Sequence, residues 1–190
     1  PPSPRGGGSV TGSSSGSKVI GSPVFSTPRF KSVARTIWSI PVATAALGAV
    51  AGLPAARLVA SHFSVMTREN SQVLVAGPKV VERALKEDIT KEDMGGAHIH
   101  TRNGVVDNIA EDEYDAFEQI KRFMSYMPKN AWSTAIPSIR NDPTNRKEDT
   151  LSSIIPKDRR KIYDMRKIIS LVVDQGSVFE VTKDYGKGQI

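Results

Sequence analysis

The first regular pattern of apolar positions begins at Pro28. Phe30, Val33 and Ile37 recur three or four residues apart, which places them on one face of a helix. Pro28 suits the first position of that helix, because its ring fixes φ and its missing N–H costs no hydrogen bond there. A segment of small residues, 55–60, predicts a second, tightly packed helix.

Three more helices are predicted further along the chain. The segment 79–85 follows a Gly-Pro pair, which ends a strand and starts a helix. A longer helix over 113–126 begins beside three consecutive acidic residues, which stabilise the positive N-terminal end of a helix, and Pro128 ends it. The last helix covers 163–173, carries its apolar residues on one side and stops at Gly176.

Short apolar runs between these helices predict strands. Residues 41–50 favour one strand buried on both faces, and 64–66 and 72–76 predict two shorter strands. The stretch 90–107 is polar and contains three glycines, so we expect irregular structure there, and 131–156 predicts a long connection. No internal repeat is visible. The alternation of strands and helices predicts the α/β fold class.

Charge is distributed unevenly over the 190 residues, whose net charge is +6. The first 68 residues carry seven basic and no acidic side chains, but the basic residues are scattered. Nucleic-acid-binding proteins cluster Lys and Arg on one face, so we expect no nucleic-acid partner. The longest apolar stretch, 40–53, has 14 residues, whereas a membrane-spanning helix needs about 20, so we expect no membrane association. A chain without cysteine has no disulfide framework and no thiol nucleophile.

Few residues suggest catalysis by side chains. His98 and His100 form a His-x-His pair, but the nearest carboxylate after the pair is Asp107 and no third ligand has a suitable spacing, so we predict no metal site. Gly-rich turns at 6–8 and 48–52 precede helical or apolar segments. The N–H groups of such turns can bind an oxyanion or a phosphate.

Several segments, in the same order along the chain, resemble the carboxyltransferase (β) subunit of biotin-dependent acyl-CoA carboxylases. The resemblance covers nearly the whole chain and is loosest over 11–27. The segments that carry it are GGSV at 7–10, GAVAGLPA at 48–55, HFSVM at 62–66, VAGPKVV at 75–81, ITKEDMGGAHIHTRNGVVD at 89–107, FMSYMP at 123–128 and the stretch 163–174.

The resemblance implies part of a crotonase-like (ClpP-like) superhelix. It assigns 1–28 to a Gly/Ser-rich loop and 29–130 to the rest of an acyl-CoA-binding N-terminal half-domain. Residues 131–190 then form a linker and helix that lead into a C-terminal half-domain, which we expect to lie outside this sequence. We therefore expect this chain alone to be inactive.

The same resemblance implies an enzyme that moves CO2 from carboxybiotin to the α-carbon of an acyl-CoA. Backbone amides of Gly7 and Gly8 are expected to hold the thioester oxyanion as the enolate forms. Biotin would be carried by a biotin carboxylase or biotin carrier subunit, and the full-length subunit is expected to form a homo-oligomer. The residues expected to shape the acyl-CoA pocket are Gly48, Ala51, Gly52, Leu53 and Ala55.

Two alternatives remain open at this point. The chain could be a non-catalytic remnant or assembly module of that family, or a biotin-independent crotonase-type acyl-CoA enzyme. The latter needs a carboxylate or histidine poised at the thioester, and none is suitably placed in the sequence. A polyanionic CoA disfavours nearby carboxylates, which would explain the acid-free start of the chain. The alternative is that a short loop and a buried core lack acidic residues by chance. We expect an intracellular protein, in the mitochondrial matrix if eukaryotic and otherwise in the cytoplasm.

Overall fold

A computed structural model describes residues 29–135, 137, 142–158 and 160–187 of the chain. These residues divide into two units. The first contains 29–135 and 181–187, and the second contains the described residues between 137 and 180. Residues 1–28, the first predicted domain, lie outside the described residues, so the division into three domains stays a prediction.

Five short strands form two parallel sheets in the first unit. The larger sheet has the order β1-β3-β5, with Ala43 paired to Phe63 and Val65 paired to Asn108. The smaller sheet pairs β2 with β4. The parallel strands and intervening helices confirm the predicted α/β class. The strands are β1 (Ala43–Ala46), β2 (Ala49–Ala51), β3 (Phe63–Thr67), β4 (Gln72–Leu74) and β5 (Asn108–Ala110).

The helices begin and end close to the positions that apolar periodicity predicts. All five helices of the sequence analysis are present, and they correspond to α1, α2, α3, α6 and α7. The helices are α1 (Arg29–Ser39), α2 (Leu53–Val59), α3 (Pro78–Leu85), α4 (Lys91–Gly95), α5 (Ala97–His100), α6 (Glu113–Met124) and α7 (Met165–Val172), with a 3-10 turn at Asp149–Ser152.

The expectation of irregular structure over 90–107 is wrong for its first half, which contains α4 and α5. Thr90 starts α4, because its hydroxyl accepts a hydrogen bond from the Asp93 N–H at 3.1 Å. Gly96 has extended backbone angles and separates α4 from α5. The start of α4 is therefore set by local capping rather than by a long apolar stripe.

The single strand expected over 41–50 is also wrong, because the chain turns at Leu47 and Gly48 and makes two strands. β1 joins the larger sheet and β2 joins the smaller one. A unit of two strands and a helix is thus formed twice, as β1-β2-α2 and again as β3-β4-α3, with each strand parallel to its counterpart. This structural repeat has no counterpart in the residue pattern.

The core of the first unit lies between the sheets and the helices that cover them. Phe63 of β3 stacks on Phe123 of α6, with ring centroids 4.9 Å apart, and both rings are buried. A cluster of smaller apolar residues joins β1, α2, β3 and β4. Its buried members are Ala46, Ala55, Leu58, Met66, Val73, Ala97, Val106 and Ile109.

The second unit is held by polar contacts around the end of α7. The guanidinium of Arg146 donates to the carbonyls of Leu171 (2.9 Å) and Val173 (2.8 Å) and forms an ion pair with Asp142. The Asp142 carboxylate also accepts from the Gln175 N–H at 2.9 Å. These bonds satisfy carbonyls that a helix end leaves without intrahelical partners.

Within the described ranges, none of the helices has the length and apolar character needed to cross a membrane.

Candidate functional site

An open, apolar cleft in the first unit is the main candidate for a ligand site. Its volume is about 820 Å³, which is within the range of roughly 300–1,000 Å³ typical of small-molecule pockets. Residues from α1, α2, α3, α4, α5 and β4 contribute to its walls. Representative lining residues are Phe30, Gly52, Ala56, Leu74, Val81 and His100.

Gly52 forms the turn that leads from β2 into α2 at the wall of the cleft. Its φ of 66° is positive, a conformation that glycine adopts without the steric cost of a Cβ. Its N–H donates to the Leu74 carbonyl at 3.1 Å, and its own carbonyl accepts from the Ala56 N–H at 3.0 Å. The turn is therefore fixed on one side by β4 and on the other by the first turn of α2.

His100 is the only ionisable side chain among the described residues that line the cleft. Its Nε2 lies 2.8 Å from the Val73 carbonyl oxygen. A carbonyl can only accept, so Nε2 carries the hydrogen. Nδ1 is buried and finds no hydrogen-bond partner within the described part of the chain. The remaining walls are carbon surface, which favours an apolar ligand group.

The structure brings some of the predicted pocket residues together at this cleft. Gly52, Leu53 and Ala55 are among its lining residues. Gly48 lies in the turn between β1 and β2, and Ala51 ends β2; neither is a lining residue. The predicted oxyanion residues, Gly7 and Gly8, lie outside the described residues. The roles assigned to all seven residues stay predictions.

Other parts of the wall were not identified from the sequence. Phe30, Val81 and Met94 reach the cleft from three separate helices, and only tertiary packing brings them together. The sequence indicates His100 only as a candidate metal ligand. Asp107, the nearest carboxylate after it in sequence, instead accepts hydrogen bonds from Ser64. Among the described residues, no three His, Cys, Asp or Glu side chains are grouped to hold a metal ion.

The helices around the cleft carry basic side chains on their exposed surfaces. Lys31 follows Phe30, which lines the cleft, and Arg57 follows Ala56, another lining residue. Residues 29–68 contain no Asp or Glu. This charge distribution suits a ligand that joins an apolar group to an anionic one.

The resolved pKa shifts belong to groups that do not line the cleft. The Arg68 guanidinium donates to both carboxylate oxygens of Glu111 and lowers the pKa of that carboxyl. A hydrogen bond from Lys187 lowers the pKa of Asp184. Arg68 and Glu111 join two surface segments of the first unit, whereas Asp184 and Lys187 lie three residues apart in one segment.

Comparison with known proteins gives matches over most of the chain. Residues 12–190 match the carboxyl transferase domain family. The chain is 32% identical to the human mitochondrial propionyl-CoA carboxylase beta chain over 152 residues, which is 80% of this chain and 28% of that one. It is 30% identical over 154 residues to the biotin-dependent acetyl-/propionyl-coenzyme A carboxylase beta5 subunit of Mycobacterium leprae, covering 77% of this chain and 28% of that one.

A solved structure is similar as well. It is the transcarboxylase 12S hexamer with methylmalonyl-coenzyme A and methylmalonic acid bound, with a TM-score of 0.78 and 28% sequence identity. The match covers 83% of this chain and 30% of that one. The likeness confirms the predicted crotonase-like fold, of which this chain contains a part. The chain spans less than a third of the length of these relatives.

Proposed function

Because the chain belongs to the carboxyl transferase domain family, we propose that it is part of the carboxyltransferase component of a biotin-dependent acyl-CoA carboxylase. In this reaction the α-carbon of the acyl-CoA loses a proton and gains a carboxyl group. The names of the relatives support this class of substrate, since both include an acyl-CoA and one includes biotin. The chain's share of the component is the binding of the acyl-CoA.

The apolar cleft beside the Gly52 turn is the observation that carries this proposal. The short acyl group of a CoA thioester is apolar, and burying it against carbon surface is favourable. Gly52 and Ala56 have little or no side chain, so a ligand can approach the backbone of α2 closely. Lys31 and Arg57 are exposed on the helices beside the cleft, where they attract the phosphates of CoA.

The described residues of the cleft fit the carboxyl donor, carboxybiotin, less well than they fit an acyl-CoA. The ureido ring of biotin is polar and needs hydrogen-bonding groups around it. Among the described residues that line the wall, His100 has the only polar side chain, and its Nε2–H already donates to Val73. We therefore assign no described residue to biotin, which a partner protein or domain would carry.

The remaining assignments are part of the same proposal. Gly7 and Gly8 would offer backbone N–H groups to the thioester oxygen, where negative charge develops in the enolate. Residues 29–130 would form the acyl-CoA-binding part, and 131–190 would form the linker and helix that follow it. We also propose assembly into a homo-oligomer with a biotin-bearing partner, which the hexamer of transcarboxylase 12S supports. The compartment would be the mitochondrial matrix in a eukaryote and the cytoplasm otherwise.

Calorimetric titration of the 190-residue chain with propionyl-CoA tests the proposal. Ala56→Phe places a ring in the cleft, because Ala56 is half-buried on its wall. Ala60→Phe is the matched control, since Ala60 is exposed just after the same helix and does not line the cleft. We expect Ala56→Phe to weaken binding about tenfold or more, a loss of roughly 1.4 kcal/mol, and Ala60→Phe to bind like the parent. Equal binding by the two variants would contradict the assignment of this cleft.

A further inference from the structure

We propose that His100 is a positioning residue for the candidate acyl-CoA site. Its N–H fixes the end of β4, and the end of β4 fixes the Gly52 turn at the cleft wall. This inference rests on the proposed function, because it concerns the same cleft. From the sequence alone, His100 is a candidate metal ligand only, as part of the His-x-His pair.

Two consecutive carbonyls of β4 carry the connection. The Val73 carbonyl accepts the His100 Nε2–H at 2.8 Å, and the Leu74 carbonyl accepts the Gly52 N–H at 3.1 Å. Val73 and Leu74 are both buried and both line the cleft. A shift of this strand end would therefore move the partner of the Gly52 N–H.

Gly95 makes room for the His100 contact. A Cβ at Gly95 would lie 3.1 Å from His100 Nε2 and 2.7 Å from a methyl carbon of Leu74, and it would also overlap the Val73 carbonyl oxygen. Any side chain here would push the imidazole and the strand apart. Gly95 and His100 belong to adjacent short helices, α4 and α5, so their spacing is set locally.

Among the described residues, the polar role of this ring rests on Nε2 alone. Nδ1 is buried, yet it has no partner among the residues that the structure describes. A buried acceptor without a hydrogen bond is unfavourable. The single bond to Val73 is thus the polar interaction of this ring.

A pair of amide substitutions separates this role from packing. In His100→Gln the side-chain N–H can reach the position of Nε2, whereas in His100→Asn the shorter side chain puts it near Nδ1, out of reach of Val73. The first measurement is amide hydrogen exchange by NMR at Gly52. The Arg68 N–H, which donates to Ala110 at 2.8 Å in the larger sheet, serves as the reference. The second measurement is calorimetric binding of propionyl-CoA.

We expect His100→Asn to raise exchange at Gly52 about tenfold relative to Arg68 and to weaken propionyl-CoA binding by a similar factor. His100→Gln should restore both to within about threefold of the parent chain. Equal exchange at Gly52 in the two variants, or an increase shared equally by Arg68, would overturn the positioning role. If the parent chain bound no propionyl-CoA, the proposed function would fail, while the exchange comparison would still decide whether His100 positions Gly52.

Discussion

The carboxylate of Asp107 accepts two hydrogen bonds from Ser64, one from its backbone N–H at 2.8 Å and one from its hydroxyl at 2.9 Å. The hydroxyl in turn accepts from the Asp107 N–H at 3.2 Å. Ser64 is buried in β3, and Asp107 directly precedes β5. The pair therefore holds together two neighbouring parallel strands whose sequence separation is 43 residues.

Replacing Asp107 tests how much this link stabilises the sheet. Asp107→Ala leaves the buried N–H and hydroxyl of Ser64 without their acceptor, a cost of about 1–3 kcal/mol. Both bonds end on the same carboxylate oxygen, Oδ2. Asp107→Asn can keep a carbonyl oxygen in that place, which accepts both bonds, so it should lose less. Urea denaturation of the two variants and the parent gives the comparison. Equal stability of all three would show that the link is not stabilising.

Alanine at Gly95 should destabilise the first unit. The new Cβ would overlap the Val73 carbonyl oxygen and lie 2.7 Å from the Leu74 side chain, and overpacking of this kind costs about 1–3 kcal/mol. Gly77→Ala is the matched control, because a Cβ there meets nothing within 4 Å and φ is −79°. The control should stay within about 0.5 kcal/mol of the parent in thermal or urea unfolding. A loss of the same size in both variants would contradict the steric explanation.

Removal of the Phe123 ring should have a larger effect than any surface change on α6. Phe123 is buried against Phe63, so Phe123→Ala removes the stacked pair and leaves a cavity, with a loss of about 3–5 kcal/mol. Phe117 is on the same helix but is 49% exposed. Phe117→Ala should change the free energy of unfolding by about 0.5 kcal/mol or less. Similar losses from both substitutions would mean that the stacked pair is not the source of the difference.

In the second unit, replacing Arg146 by lysine should weaken the hydrogen bonds that hold the end of α7. The flat guanidinium reaches two carbonyls and the Asp142 carboxylate at once, whereas a lysine ammonium is a single point of charge. Arg146→Lys should raise hydrogen exchange of the Val173 amide, which donates to Ile169 at the end of α7, by about tenfold. Arg160→Lys is the control, since Arg160 is almost fully exposed. Unchanged exchange in Arg146→Lys would contradict this role.

The ion pair of Arg68 with Glu111 predicts a pH dependence. Arg68 lowers the pKa of Glu111 below its ordinary value of 4.5. A carboxyl whose pKa is depressed by folding contributes stability above the unfolded pKa and loses it as pH falls through the folded pKa. The stability difference between the parent and Glu111→Gln should therefore be constant from pH 7 to about 5.5 and should shrink below about pH 4.3. Urea midpoints at pH 6 and pH 3.5 measure it, and a difference that is equal at both would refute the pairing.

Apolar periodicity predicts the longer helices well, because the apolar residues of α1, α6 and α7 lie on one face of each helix. It fails for β5, whose three residues, Asn108–Ala110, are too few to show alternation. It also fails at Gly95 and Gly96, where glycine indicated a loop but capping by Thr90 forms a helix. Local pattern does not encode β5, because its partner β3 lies far along the chain. The cap of α4 is local, but it depends on a polar hydroxyl and leaves no apolar periodicity.

The candidate cleft could be predicted from the sequence only in part. Gly52, Leu53 and Ala55 are close together in sequence and could be proposed as a group. Phe30, Val81 and His100 reach the same wall only after β2 has paired with β4 and the helices have packed on it. The role of His100 depends on a carbonyl of β4, and no side-chain motif reveals a backbone acceptor.

The strand order of the larger sheet determines how the effect of a substitution passes from one strand to the next. Each strand of the larger sheet contacts only the strand before or after it in the order β1-β3-β5. Helix α6, however, packs against all three strands of this sheet. A substitution that disrupts β5 should therefore weaken β3 directly and reach β1 both through β3 and through α6.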